Sequence, residues 1–185
     1  MRAQTIALLA VVTFAGACQR AESRQLPVAI DTSSDSACYR VASALVGYQS
    51  PSGWGLVTRR ELLASDAELW TQYHDNTSCP GIAAVNLDGG PTAYAITEIM
   101  RRDGRLFQRL VVYRPASRHI EVVSESRETS FPSVVYRFEG HRAVDFYSGA
   151  VTRFSREAFV FEHMESWAIV YYADGSALRH VLISD

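Results

Sequence analysis

The sequence predicts an α+β fold, with short N-terminal helices packed on an antiparallel β-meander sheet. Three observations carry this. Helical spacing and helix-start signals are confined to residues 36–74. From Gly81 onward, short β-branched and aromatic runs follow one another closely. The turn pairs Asp103-Gly104 and Asp174-Gly175 separate such runs, which joins neighbours as antiparallel hairpins.

The elements follow in order. Ser36 to Leu45 places Ala37, Val41 and Leu45 at helical spacing, with Ser34 as a capping residue. Pro51-Ser52-Gly53 marks a turn. Thr58-Arg59-Arg60-Glu61 and Ser65-Asp66-Ala67-Glu68 both have the S/T-x-x-E form of a capping box, which predicts helices over 59–64 and 66–74. Trp70 and Tyr73 share a face of the second and are expected to pack inward. Strands are expected at Ile82–Leu87, Tyr94–Met100, Leu106–Tyr113, Ile120–Val123, Val134–Phe138, Ala143–Phe146, Ala158–Phe161, Ala168–Tyr172 and Leu178–Ile183. Tyr94–Met100 is apolar on both faces, as a central strand is.

The N-terminus predicts an address. Met1-Arg2 is followed by an apolar run from Thr5 to Phe14, then Ala15-Gly16-Ala17-Cys18. Positive, apolar and small segments in that order make a secretory signal. The run is too short to span a bilayer, which takes roughly 20 apolar residues. The expected organisation is a signal peptide over 1–17, a flexible polar tether over 18–35 and one α+β domain over 36–185. The segment ending at Cys18 resembles a bacterial lipobox, in which the cysteine after the cut is lipidated. That resemblance implies a lipid anchor at Cys18, and Gln19 after it implies the outer membrane. Ala15 stands where lipoboxes carry leucine, and Ala15-x-Ala17 also suits ordinary signal cleavage, which would leave a soluble periplasmic or secreted protein.

An oxidising compartment favours pairing the two remaining cysteines, Cys38 and Cys79. Neither sits in a CxxC motif or a basic cluster that would activate a nucleophile. All 18 basic residues are arginine, and the net charge is −2. With no basic excess, nucleic acid is not an expected partner.

No motif assembles a catalytic or metal site. Asn86-x-Asp88-Gly89-Gly90 opens like a calcium loop, but the acids stop at Asp88, short of the six to eight oxygens calcium takes. It is read as a strand-connecting turn. His163 and Glu165 would share a strand face, yet zinc needs three or four ligands and no third is evident. No G-x-S-x-G elbow occurs. The expected catalytic residues, metals and cofactors are therefore none. Phe131, Tyr136, Phe138, Phe146, Tyr147, Phe154, Phe159, Phe161, Tyr171 and Tyr172 crowd the second half. They are read as a β-core with cross-strand aromatic pairs, the rival being an exposed face for a partner.

Trp70…Cys79-Pro80-Gly81, the stretch Val85-Asn86-Leu87-Asp88-Gly89-Gly90-Pro91-Thr92-Ala93-Tyr94-Ala95, and the closing Val170-Tyr171-Tyr172-Ala173-Asp174-Gly175 to Ser184-Asp185 resemble uncharacterised exported bacterial (lipo)proteins. The middle stretch is similar to an FG-GAP repeat loop. Ala173 replaces the usual aromatic residue of the closing hairpin. The resemblance implies one exported α+β domain and brings no activity.

The functional expectation is an exported, lipid-anchored, non-enzymatic domain that binds a protein or cell-envelope component, with an immunity- or inhibitor-like role by analogy. Membrane contact is expected through the lipid anchor only. The alternative is a small periplasmic hydrolase with a spatially assembled His/Asp/Ser site, for which His74, Asp75 and Ser78 are the residues to watch.

Overall fold

In the computed structural model, residues 36–43, 45–74, 78–164 and 166–183 are described. The expected signal peptide and tether, Cys18, Ser34, Asp75 and Glu165 lie outside the described residues.

The described chain is mostly antiparallel β-structure with few helices. Helix α1 spans Ser36–Ala42, a single 3-10 turn spans Arg59–Glu61, and α2 spans Ala64–Tyr73. The strands are β1 Gly55–Leu56, β2 Ile82–Val85, β3 Ala93–Arg102, β4 Arg105–Arg114, β5 His119–Thr129, β6 Val134–Phe138, β7 Arg142–Val144, β8 Val151–Arg153, β9 Ala158–His163, β10 Trp167–Asp174 and β11 Ala177–Ile183.

They do not form one meander. The first sheet has the order β1-β3-β4-β5, with β2 also on β3; the second runs β11-β10-β9-β6; β7 and β8 form a hairpin of their own. The two large sheets pack face to face. Ala93, Ala95, Leu110 and Val112 of the first meet Val135, Phe159, Phe161 and Tyr171 of the second. Sequence patterning shows which residues alternate, but assignment to one sheet or two depends on long-range pairing, such as Val134–Phe138 with Ala158–His163.

On the opposite face of the first sheet, Ile96, Val111 and Tyr113 lie against Cys38, Leu45 and Tyr48 of the N-terminal segment. The helices add single anchors here more than a layer. Cys38 of α1 and Trp70 of α2 are fully buried, and burying a large aromatic side chain such as Trp70 is worth about 3 kcal/mol. Tyr73, expected to pack beside Trp70, is exposed instead. The indole of Trp70 stacks on His74, centroids 3.9 Å apart.

The helix starts also differ from the capping boxes. Thr58 precedes the 3-10 turn but makes no side-chain cap bond. Helix α2 begins after Leu63, two residues before the Ser65 box would start it. Ser65 then lies inside the helix, and its hydroxyl donates to Asp66 at 3.2 Å. Burial of Asp66 and Trp70 on α2 sets the boundary, and tertiary contact overrides a cap signal of about 1 kcal/mol.

Gly81 explains why Cys79-Pro80-Gly81 stands where it does. β1 and β2 lie end to end along the same edge of β3, and the seam between them falls at Thr97. Val57 N–H donates to Thr97 O at 3.1 Å, and Thr97 N–H donates to Gly81 O at 2.8 Å. A Cβ on Gly81 would overlap the Val57 carbonyl oxygen, so only glycine permits this crossing. Cys79 is bonded to Cys38, with Cα atoms 4.6 Å apart, and ties α1 to the same seam.

Asp103 and Gly104 both take positive φ, the signature of a type I′ hairpin between β3 and β4. Strand β8, Val151–Arg153, was not among the expected strands; its three residues are too few for alternation to register.

Candidate functional site

Two constellations hold the chemistry of this fold. The first lies on the N-terminal face of the first sheet. Glu98 of β3 stands opposite Arg109 of β4 in the ladder. The Glu98 carboxylate accepts from Arg109 Nε at 2.6 Å and from Nη2, and from the Ser50 hydroxyl as well. Both side chains are buried. Trp54 covers the guanidinium, with Cζ 4.7 Å from the ring centroid. The Tyr48 hydroxyl is buried beside this pair and, among the described residues, meets none of the hydrogen-bond geometry needed for a partner. Burial first, and the Glu98 charge next, push its pKa above the ordinary tyrosine range. A carboxylate with both oxygens occupied and a guanidinium under an indole are locked. This arrangement rigidifies the segment over the sheet.

The second constellation is the β7–β8 hairpin. Its register pairs Arg142 with Arg153, Ala143 with Thr152 and Val144 with Val151. Alternation puts Arg142, Val144, Val151 and Arg153 on one face and Ala143 on the other. Ala143 packs with Phe154, Val170 and Val181, which seats the hairpin on the second sheet. Phe146 N–H donates to Leu182 O of β11 at 2.9 Å. The outer face is open: Val144 is 51%, Val151 56%, Phe146 57% and Tyr147 82% exposed. The two tip rings meet edge-on at 5.2 Å.

Asp145 holds this tip in shape. Its Oδ1 accepts from Ser148 N at 2.8 Å and from Ser148 Oγ at 2.7 Å, and Gly149 turns the chain with φ of 69°. The Ser148 hydroxyl, then the Ser148 N–H, holds the Asp145 carboxyl below its ordinary pKa. The aromatic residues of the second half therefore divide. Phe154, Phe159, Phe161 and Tyr171 are core, and Phe146 and Tyr147 are surface.

The remaining polar residues are dispersed. A cleft of about 230 Å³ between the sheets is lined by Gln108, Arg109, Ser124, Glu125, Thr129, Ser133, Phe161 and Trp167. Beside it Ser133 Oγ lies 3.4 Å from His163 Nδ1, whose ring stacks with Trp167 and Phe131. A wider cleft of about 510 Å³ is lined by Asp88, Arg114, His119, Glu121, Gly175 and Ser176. In it Arg114 bridges Asp88 at 3.4 Å and Glu121 at 3.2 Å. The Asp88 carboxylate thus faces a guanidinium, while Gly89 takes the positive φ of the turn. His180 rests against Tyr171. Among the described residues no group of three or more His, Cys, Asp or Glu side chains is placed to hold a metal. His74, one of the residues watched for a hydrolase, packs against Trp70 and Tyr136.

Sequence reasoning singled out neither Glu98 nor Arg109 as a pair, nor Arg142 and Arg153. Glu98 within an otherwise apolar strand was the one available signal for the first. No protein-family model, curated protein or solved structure matches this chain.

Proposed function

We propose that this chain is an exported binding domain, lipid-anchored at Cys18, that engages a protein or another component of the cell envelope through the β7–β8 hairpin. One observation carries the reading. Val144, Phe146, Tyr147 and Val151 form an apolar strip on an ordered hairpin, exposed where monomeric proteins place few such residues together. Large aromatic side chains have few rotatable bonds, so they lose little entropy on binding and make strong contact anchors. An immunity- or inhibitor-like role suits such a presented tip by analogy.

The hydrolase alternative rests on Ser133 and His163. Its weakness is physical. Ser133 is buried, its N–H is committed to Gln108 Oε1 at 2.7 Å, and the 3.4 Å separation is long for an activated hydroxyl. Among the described residues no carboxylate hydrogen-bonds His163 to orient it.

The test is capture from a membrane-envelope extract by three proteins. The parent and Ser133→Ala should retain the same partner, and Phe146→Ser/Tyr147→Ser should lose it. Turnover of ester or amide probes that disappears in Ser133→Ala would replace this reading with the hydrolase. Mass spectrometry of the protein from its native host tests the anchor: an unmodified Cys18 would leave the domain soluble.

A further inference from the structure

We propose that the β7–β8 hairpin is a membrane-contact element that dips its tip into the headgroup region of an anionic bilayer. This rests on the exported binding reading above and adds a second membrane contact to the anchor at Cys18.

The order of residues along the outer face carries it. Arg142 and Arg153 form its base, Val144 and Val151 its middle, Phe146 and Tyr147 its tip. Two residues along a strand advance about 7 Å. The valines therefore stand about 7 Å beyond the arginines, and Phe146 and Tyr147 follow in the turn. Valine and phenylalanine belong at the acyl boundary, and a tyrosine has an apolar body with a polar end that suits the interface. The arginines stand one step behind, at headgroup level.

Those arginines supply the charge argument. They are directly opposed across the hairpin, an arrangement that like charges disfavour. Among the described residues no carboxylate forms a salt bridge with either. An anion between them relieves the repulsion, and the guanidinium fork matches phosphate oxygens. A bilayer with anionic headgroups offers the phosphate and the apolar layer at the required separation. A protein partner fits less well. A protein would have to supply its own anionic group between the opposed arginines to match them.

The hairpin is also pre-shaped for insertion. Asp145 and Ser148 close the turn internally, and Asp145 N–H donates to Ala150 O at 2.9 Å. Ser148 holds the ionised Asp145 carboxylate in the turn, which lowers but does not remove the cost of bringing that charge toward the anionic surface.

The experiment uses the full chain and vesicles of phosphatidylglycerol with phosphatidylcholine, against phosphatidylcholine alone. Tyr147→Trp adds one indole at the tip, and lipids brominated on their acyl chains quench it on contact. The added fluorescence, measured against the parent with its own tryptophans, should be quenched by the anionic vesicles and hardly by the neutral ones. Arg142→Gln/Arg153→Gln should weaken binding about thirtyfold, and salt should weaken the parent. Binding that leaves the added indole unquenched, as association through the apolar N-terminus would, overturns the proposal. Equal quenching by both vesicles overturns it too. An unquenched tip combined with hairpin-dependent capture of an envelope protein would overturn the bilayer as partner and leave the binding-domain reading standing.

Discussion

Glu98 opposite Arg109 and Arg142 opposite Arg153 occupy the same kind of place, a directly facing pair in an antiparallel ladder, yet their electrostatics are opposite. The first pair is buried under Trp54, Ser50 and Tyr48. There a like-charged pair would be intolerable, and even one unmatched charge costs several kcal/mol. The second pair is solvated, where repulsion costs only a fraction of that. Burial thus forces complementarity within the chain, whereas exposure allows a mismatch that an external anion resolves. The same contrast separates a structural role from an interactive one.

Breaking the buried pair gives the largest expected effect. Arg109→Ala leaves the Glu98 carboxylate buried without its countercharge and should cost about 3–5 kcal/mol in urea unfolding. Replacing both residues with leucine should recover most of that loss. A cost below about 1 kcal/mol for Arg109→Ala would mean that water reaches Glu98, and the contrast between the two pairs would fail.

The buried region also depends on the seam that holds its cover in place. Gly81→Ala must move the Val57 backbone and should cost about 1–3 kcal/mol. Gly90→Ala, where a Cβ meets open space, is the control and should change the unfolding midpoint little. Equal effects at the two glycines would show that the crossing is not tight.

The exposed pair gives a smaller effect of opposite sign. Arg142→Glu converts repulsion with Arg153 into attraction and should raise stability by about 0.5 kcal/mol. The same change should reduce binding to anionic vesicles. Stability and binding moving in opposite directions is the signature of a pair kept for a partner; if both fall, the arginines are structural.

The smallest expected effect is a pH response confined to the hairpin tip. The folded pKa of Asp145 is lowered, so its contribution is present above the ordinary carboxylate value and is lost as pH falls through the lower folded value. Amide exchange at Ser148 and Ala150 should therefore quicken, relative to the strands, as pH drops below about 4. Unchanged relative protection there would mean that the Asp145 carboxylate does not hold the turn.

Much of the fold is legible in the residues themselves. Val134–Phe138 is a strand with the bounds its pattern predicts, and β3 and β4 are longer than expected by one or two residues at each end. Asp103-Gly104 dictates its hairpin because two adjacent positive φ angles need residues that tolerate them. The pairing of Cys38 with Cys79 is what an export-type N-terminal pattern and the cysteine count lead one to expect, and the structure places them in bonding contact. The candidate site is less legible. Tyr147 is exposed and Tyr171 buried, although both stand in aromatic runs of similar composition.

What the sequence determined alone is whatever depends on neighbouring residues: turn chemistry, strand alternation, the export-type N-terminal pattern and the lack of a local catalytic motif. Those signals act over a few bonds, where backbone sterics and side-chain periodicity suffice. The tertiary structure decided the division into two sheets, the start of α2, the Glu98–Arg109 lock and the exposure of the β7–β8 tip. Each of these depends on which distant segments exclude water from one another, and that is settled by the whole chain folding, not by any stretch of it.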